Sequence, residues 1–239
     1  MSHSALSQSF VLHTRPFKES SLILELLTLE EGRCSVLARG VRGAKKSSKR
    51  ALLQPFQPLA LSWVGRSDLK TLKQVEPLGP SIALSGIPSL SGLYMNELLL
   101  KLLIQWDPHP DIYDAYQRAL YRLQSEPSPA VVLREFELGI LDDLGYGIDW
   151  ACDIQGDIIN EQLDYGFIPE QGFVLIGQAP KSALKIKGKN ILAVANRQWQ
   201  TSGSLSTARK ISRAVIDPLI GFKELHSRKL LQQTLAIQG

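Results

Sequence analysis

Three strand-like segments follow one another within residues 10–40, which read FVLHTRPFKESSLILELLTLEEGRCSVLARG. They are Phe10–His13, Ser20–Thr28 and Arg33–Ala38. Each is a short run rich in apolar or β-branched residues, and a Thr-Arg-Pro break and a Glu-Gly pair place turn-forming residues between the runs. This pattern predicts three successive antiparallel strands.

Two further strands are predicted on the C-terminal side of these three. Ala60–Val64 and Leu69–Glu76 flank Gly65–Asp68, which has the length and composition of a hairpin loop. Five short strands in so short a stretch predict a small closed barrel, and the OB-fold is the five-stranded barrel that commonly binds oligonucleotides. We therefore expect an N-terminal OB-fold β-barrel in residues 1–79.

A strongly basic segment separates the third predicted strand from the fourth. Arg39–Arg50 contains six Lys or Arg side chains, several Gly and Ser residues, and no acid. Its cations suit a phosphate backbone. The alternative is a solubilising loop, because runs of like charge often only face water. Together with other cations of the barrel, the candidate DNA-binding residues are Arg15, Arg33, Arg39, Arg42, Lys45, Lys46, Lys49, Arg50, Arg66, Lys70 and Lys73.

Three aromatic residues of the barrel have two possible uses. Phe17, Phe56 and Trp63 could stack on bases, which would tolerate any nucleotide sequence. A small barrel also needs large side chains to fill its interior. We therefore expect Phe56 and Trp63 to be core residues and Phe17 to be exposed.

The pattern changes to helical spacing after Pro77 and Pro80. We expect an α+β protein in which a mainly helical domain, residues 80–239, follows the barrel. Apolar residues recurring at intervals of three and four, together with start and stop signals, predict helices over Gly92–Ile104, Ile112–Leu123, Ala130–Leu144, Ser206 or Thr207 to Asp217, and Glu224–Leu235.

A β-hairpin is predicted inside the helical domain, within an insertion at residues 148–180. Leu163–Ile176 consists of two strand-like halves joined at Pro169–Gly172. A small module of this kind is a usual place for structural zinc, which requires about four Cys or His ligands, and only Cys152 is at hand. We therefore expect no metal here. With Cys34 as the one other cysteine, a reducing cytoplasm is the expected environment.

Charge is distributed unevenly along the chain, although the net charge is only +4. Residues 1–75 carry a net +7, residues 76–180 a net −12, and residues 181–239 a net +9. Basic ends around an acidic middle present separate positive surfaces to a polyanion, because steering depends on local potential. Charge counts leave equally open a solvated, mixed-charge surface that has no partner.

No segment carries the chemistry of a familiar catalytic motif. The sequence has no Walker A loop, GxSxG, HExxH or glycine-rich dinucleotide turn. Asp142 and Asp143 are adjacent on a predicted helix and therefore point about 100° apart, which does not suit one shared ion. No apolar stretch approaches the roughly 20 residues that cross a bilayer. We expect neither an enzyme, nor a cofactor, nor a membrane protein.

Seven short motifs follow one another in a characteristic order. They are Val11–Leu22, Glu31–Arg33, Ala38–Gly40, Leu53–Phe56, Leu69–Leu72, Gly92–Leu98 and Leu144–Gly147, which read VLHTRPFKESSL, EGR, ARG, LQPF, LKTL, GLYMNEL and LGYG. Taken together they resemble the RecO family of bacterial recombination mediators and DNA repair proteins. The resemblance extends over Phe10–Leu230.

The resemblance implies an N-terminal OB-fold, a helical C-terminal domain, binding of single- and double-stranded DNA, and annealing of complementary strands. It also implies a cytoplasmic, nucleoid-associated protein that works with RecR and the single-stranded DNA-binding protein in loading the recombinase RecA. Many members carry a four-cysteine zinc module where this chain has only Cys152, so metal binding is not carried over. Two other functions stay open: a protein-interaction scaffold with incidental DNA contact, and an RNA-binding OB protein. Salt dependence and the preferred strand type would discriminate them.

Arg134 is the only basic residue between Arg122 and Lys181. Three apolar residues share its predicted helix face: Val131, Leu138 and Leu141. The resemblance implies a partner, the single-stranded DNA-binding protein, whose acidic tail ends in an apolar residue, a proline and a phenylalanine with a free carboxylate. An arginine beside an apolar pocket suits such a tail. The alternative is an ordinary helix-surface arginine paired with Glu137.

Overall fold

The structure is a computed structural model that describes residues 6–42 and 48–238. By their contacts, these residues form two compact units. The barrel unit comprises the described residues of Met1–Pro129 and Glu224–Gly239, and the helical unit comprises Ala130–Lys223. No helix in the described part of the chain is both long enough and apolar enough to span a membrane.

Five strands of the barrel unit form a closed, OB-like barrel in the order β1-β2-β3-β5-β4, which confirms the predicted α+β class with an N-terminal OB-type barrel. β1 pairs with both β2 and β4, so the sheet closes on itself. The strands are β1 (Ser7–Phe17), β2 (Ser21–Thr28), β3 (Gly32–Ala38), β4 (Leu59–Val64) and β5 (Lys70–Pro77), and a short helix, α1 (Ser48–Leu52), lies between β3 and β4.

β2 is buried along nearly its whole length, which explains why its sequence lacks a polar face. Leu24 and Leu26 belong to the hydrophobic core inside the barrel. Leu27 is also buried, and its partner across the strands, Phe10, lies 5.2 Å from the Tyr116 ring, centroid to centroid. A strand that is covered on both faces needs apolar residues on both.

Besides α1, three longer helices belong to the same unit: α2 (Gly86–Leu102), α3 (Pro110–Leu123) and α7 (His226–Gln238). A buried polar chain ties two of them to β1. Tyr116 Oη donates a hydrogen bond to Asn96 Oδ1 at 2.6 Å, and Asn96 Nδ2 donates to the Leu12 carbonyl at 2.9 Å. The predicted end of the OB domain at residue 79 falls in the connection between β5 and α2. By contacts, the first unit continues beyond it.

β3 and β5 pair in parallel at two residue pairs, Val36 with Lys70 and Leu37 with Thr71. Nearer the start of β3, the segment between α2 and α3 lies alongside the strand instead. Gln105 forms a bridge with Arg33, and the Trp106 N–H donates to the Arg33 carbonyl at 2.8 Å. The connection between the helices therefore supplies hydrogen bonds that a longer β5 pairing would otherwise make.

The helical unit contains a three-stranded sheet in the order β7-β6-β8 among helices. Its elements are α4 (Pro129–Asp143), β6 (Asp164–Ile168), β7 (Gly172–Leu175), β8 (Leu184–Lys187), α5 (Gly188–Ala195) and α6 (Ser204–Leu219). β6 and β7 are the predicted hairpin.

Several element boundaries in the sequence predictions were wrong. α2 begins at Gly86 and not at Gly92, because Pro88 is tolerated in the first turn. α6 includes Pro218, which lies in the last turn and does not stop the helix at Asp217. β8 and α5 were not predicted, since a four-residue strand of alternating Lys and apolar residues is too short to stand out from sequence alone.

Candidate nucleic-acid interface

Three chain segments meet around the C-terminal end of β3. The turn between β1 and β2 lies beside Ala38, because Ala38 pairs with Leu22. Leu37 pairs with Thr71 near the start of β5, so the loop between β4 and β5 also ends there. In an OB-fold, strands 2 and 3 and the loops 1–2 and 4–5 form the oligonucleotide-binding face. The expected binding face is therefore assembled here.

Cations predominate in these segments. We call the cations of the three segments the basic rim. Arg42 joins two of the segments, since its N–H donates to the Ser20 carbonyl at 2.9 Å and its Nη1 to the Lys18 carbonyl at 3.0 Å. The same segments contain two acids, Glu19 and Asp68, both exposed. The rim consists of Lys18, Arg39, Arg42 and Arg66, all exposed, and the half-buried Lys70.

The opposite end of β3 is acidic. Glu30 and Glu31 occupy the turn before β3, and Glu30 accepts a hydrogen bond from Ser7 Oγ. The backbone of Asp107 packs against Gly32, the first residue of the strand. The basic rim and this acidic end therefore lie at opposite ends of β3. A seven-residue strand is about 20 Å long, so the two charged regions are about that far apart. A polyanion would be attracted to one end and repelled from the other.

The structure separates the predicted DNA-binding residues into groups. Arg39, Arg42, Arg66 and Lys70 belong to the basic rim. Lys49 and Arg50 are exposed on α1, which packs against β5, and Lys73 is exposed on β5. Lys45 and Lys46 lie outside the described residues.

Two predicted DNA-binding residues, Arg33 and Arg15, lie beside the same acid, Glu25. Arg33 is only 18% exposed, its Nε donates to the Leu103 carbonyl at 3.0 Å, and its Nη1 lies 3.5 Å from Glu25 Oε2. Arg15 is exposed and lies 3.9 Å from the other oxygen of Glu25. Arg33 therefore has little surface left to offer a phosphate, whereas Arg15 retains most of its own.

Lys18 was missed by sequence reasoning. Its backbone is in the left-handed region, with φ at 52°, and its Nζ lies 5.6 Å from the centroid of the half-buried Phe17 ring. The signal was available as a cation in Phe17–Glu19, a stretch between the first two predicted strands. The expectation that Phe56 and Trp63 are core residues is confirmed, since they are 8% and 3% exposed.

The helical unit holds a buried charged network around Arg134. Arg134 is 8% exposed, and its Nη2 donates to Glu137 Oε1 at 2.7 Å. The other oxygen of Glu137 accepts a hydrogen bond from Ser212 Oγ at 2.5 Å. Arg134 Nη1 is buried and has no hydrogen-bond partner among the described residues. The arginine is thus paired with Glu137, as the alternative supposed, but it does not lie on the helix surface.

The apolar residues predicted beside Arg134 differ in exposure. Val131 and Leu138 are half-buried, whereas Leu141 belongs to the core. An incoming ligand could touch the first two without any rearrangement of α4. The buried Leu141 offers it no surface.

The zinc-module position is filled by aromatic packing. The Phe173 ring lies 5.3 Å from Phe167 and 5.7 Å from Trp150, centroid to centroid. No group of three or more His, Cys, Asp or Glu side chains within residues 6–42 and 48–238 could hold a metal ion. Cys152 is half-exposed, and Cys34 is in the barrel core, where burial raises the pKa of its thiol far above the ordinary value.

Comparison with known proteins gives matches over nearly the whole chain. The family described as "Recombination protein O N terminal" matches residues 1–81, and "Recombination protein O C terminal" matches residues 86–229. The chain is 42% identical over 226 residues to the DNA repair protein RecO of Pseudoalteromonas atlantica, covering 94% of this chain and 93% of that protein. It is 39% identical over 228 residues to the RecO of Yersinia enterocolitica, covering 95% and 93%. It is 37% identical over 227 residues to the RecO of Aliivibrio fischeri, covering 94% of both.

Proposed function

The chain belongs to the RecO family of DNA repair and recombination proteins, and from this premise we propose that it binds single- and double-stranded DNA and anneals complementary strands. The observation that supports this most directly is the basic rim, where the loops of an OB-type barrel bring five cations together. Annealing requires neutralisation of two repelling backbones and time spent together. A protein with several basic surfaces can supply both without catalysis.

The proposal extends to partners and place of action. We propose that the protein is not an enzyme, acts in the cytoplasm at the nucleoid, and works with RecR to load the recombinase RecA onto single strands coated by the single-stranded DNA-binding protein. The family membership supports this role. It also favours this role over the two alternatives, an interaction scaffold and an RNA-binding OB protein, which the titration below tests.

Titration of fluorescent single-stranded DNA at several salt concentrations tests the DNA-binding proposal. Replacing Arg39, Arg42 and Arg66 with Ala should weaken binding of all sequences alike and reduce the slope of log affinity against log salt by about two for single-stranded DNA. Lys101→Ala is the matched control, because Lys101 is an exposed cation on α2 outside the rim. An unchanged slope in the triple variant would contradict the proposal. Tighter binding of RNA would favour the RNA-binding alternative, and weak salt dependence would favour the scaffold.

We further propose that Arg134 receives the tail of the single-stranded DNA-binding protein. Its buried Nη1 has unused hydrogen-bonding capacity, which a terminal carboxylate would satisfy. The half-buried Val131 and Leu138 would contact the apolar residues of the tail. A carboxylate bound beside Glu137 has to overcome repulsion, so we expect the tail to bind through Nη1 while Nη2 keeps its internal partner.

Binding of a tail peptide measures this contact. Arg134→Ala, or a charge reversal there, should weaken binding by about 1–3 kcal/mol while naked-DNA binding stays nearly intact. Because Arg134→Ala leaves Glu137 buried without its cation, the double variant Arg134→Ala/Glu137→Ala serves as a folded control that should bind the peptide equally poorly. Amidation of the peptide's terminal carboxylate should have a similar effect on the unchanged protein. Equal loss of both activities, or loss of neither, would mean that Arg134 is structural and that the tail binds elsewhere.

A further inference from the structure

A second basic surface lies on the helical unit along β8, which is an edge strand of its sheet. Lys185 and Lys187 are exposed on one face of β8, whereas Ile186 faces the other way and is buried. Lys181 precedes the strand, Lys189 follows it in the first turn of α5, and both are exposed. We call these four residues the β8 lysines. Lys185 and Lys187 lie about 6.6 Å apart along the strand, which makes a regular row of positive charge.

The charge of the β8 lysines is not neutralised within the described part of the chain. None of the four takes part in an ion pair there. The nearest acids in the pairing pattern are Asp164, opposite Lys187 on β6, and Glu161, whose carbonyl accepts from the Lys189 N–H at 3.1 Å. The sequence has no acid from residue 181 to residue 216. The row therefore attracts an anion.

The surface has no stacking platform. The face of β6 beside Lys185 and Lys187 carries Gly166 and Asp164, while the aromatic rings of β6 point to the opposite, buried face. Residues 174–198 contain no aromatic residue. Single-strand binders combine cations with aromatic rings on which bases stack. The β8 lysines can offer contacts to a phosphate backbone and nothing to a base.

A protein partner fits this surface poorly. Stable protein interfaces are anchored by large apolar or aromatic side chains in a desolvated centre. No large apolar side chain of residues 181–189 is exposed. An extended row of lysines without an apolar centre is complementary to a regular polyanion instead.

We propose that the β8 lysines bind the backbone of double-stranded DNA, an inference that rests on the DNA-binding function proposed above. The preference follows from charge density, since a duplex carries one charge per about 1.7 Å of its axis and a single strand only half as many. The basic rim, where Lys18 lies against the half-buried Phe17, has the cation and aromatic pair that suits a single strand. The basic rim would thus bind the single strands, which are the substrate of annealing, and the β8 lysines would bind the duplex, which is its product.

Charge reversal on the full chain tests the assignment. Lys185→Glu/Lys187→Glu should weaken binding of a labelled duplex by about tenfold and reduce its salt slope by about two, while affinity for oligo-dT changes by less than about twofold. The matched control is Arg209→Glu/Lys210→Glu, which makes the same change of charge at exposed positions on α6. The control should leave both affinities within about twofold of the unchanged protein.

The outcomes separate this inference from the function on which it rests. An unchanged duplex affinity, an equal loss for duplex and oligo-dT, or an equal loss in the control pair would each overturn the assignment to β8. If the unchanged protein binds oligo-dT but no duplex, the inference fails, and of the proposed DNA binding only the single-stranded part stands. If it binds neither, the proposed function itself fails. Thermal unfolding of each variant confirms that exposed substitutions have left the fold intact.

Discussion

The carboxylate of Glu97 in α2 caps the first turn of α7 at Ser227. Its Oε2 accepts hydrogen bonds from the Ser227 N–H at 2.8 Å and from Ser227 Oγ at 2.5 Å, and its Oε1 accepts from the His226 N–H at 3.0 Å. The residues are 130 positions apart in the sequence. Most N-caps are supplied by the residue that precedes the helix, whereas here another helix supplies the acceptor and the negative charge.

This cap predicts a pH-dependent contribution to stability. Burial raises the pKa of Glu97, but hydrogen bonds from Ser227 and His226 outweigh it and lower the pKa overall. A carboxyl with a lowered pKa stabilises the fold above its ordinary pKa, and the stabilisation is lost as pH falls through the folded value. Glu97→Gln should therefore cost about 1 kcal/mol at pH 7, and the difference should vanish in acid. Denaturant unfolding across pH measures this.

Glu126→Gln is the control for that experiment, because Glu126 forms a partly exposed pair with Arg122 on the surface. It should cost no more than about 0.5 kcal/mol. A Glu97→Gln deficit that does not shrink as pH falls through the lowered pKa of Glu97 would show that the amide disturbs packing and that the charge has no role.

We predict different costs of adding a methyl group at two glycines that have nearly the same φ. Gly32 and Gly40 have φ of 69° and 71°. A Cβ at Gly32 would lie 1.9 Å from the Asp107 carbonyl oxygen, whereas one at Gly40 would meet nothing within 4 Å. Gly40→Ala should cost about 1 kcal/mol from the left-handed backbone alone, and Gly32→Ala at least another 1–3 kcal/mol from overpacking. Equal unfolding midpoints for the two variants would contradict the close approach of Asp107.

We predict that the segment Arg39–Arg50 contributes a measurable share of the DNA affinity. Replacing Lys45, Lys46, Lys49 and Arg50 with Ala should weaken binding of all DNA sequences and reduce the salt slope by up to about four, if all four contact phosphates. Two of these residues, Lys49 and Arg50, are exposed on α1. Fluorescence titration at several salt concentrations gives the slope, and an unchanged slope would mean that the segment only solubilises the protein.

We predict that the purified protein carries no stoichiometric zinc and hydrolyses no nucleotide. The reason is chemical, because zinc needs about four Cys or His ligands and nucleotide hydrolysis needs a phosphate-binding loop. Phe173 packs between Phe167 and Trp150, so the module has a hydrophobic core of its own. Metal analysis should find far less than one zinc per chain, and annealing should proceed without ATP. One zinc per chain, or annealing that requires ATP, would refute this.

Strand and hairpin positions could be predicted from sequence where short apolar runs meet strong turn signals. The run of β2 and the Glu-Gly turn before β3 identify two strands without any long-range information. β8 was not predicted because its four residues form a strand by pairing with β6, whose residues lie 17 to 23 positions earlier in the sequence. The exposed cations of the basic rim were mostly found, although sequence reasoning passed over Lys18.

The sequence by itself determined the closed-barrel class, the polarity of charge along the chain and the choice of core aromatics, because each depends on composition and spacing within one short segment. The tertiary structure alone decided which cations are free to meet a ligand. Arg33 looks like a surface cation in sequence, but the Leu103 carbonyl engages it in the fold. The charge of a side chain is set by its residue type. Its exposure to solvent depends on the carbonyls and carboxylates that lie beside it in the fold, and these come from distant segments of the sequence.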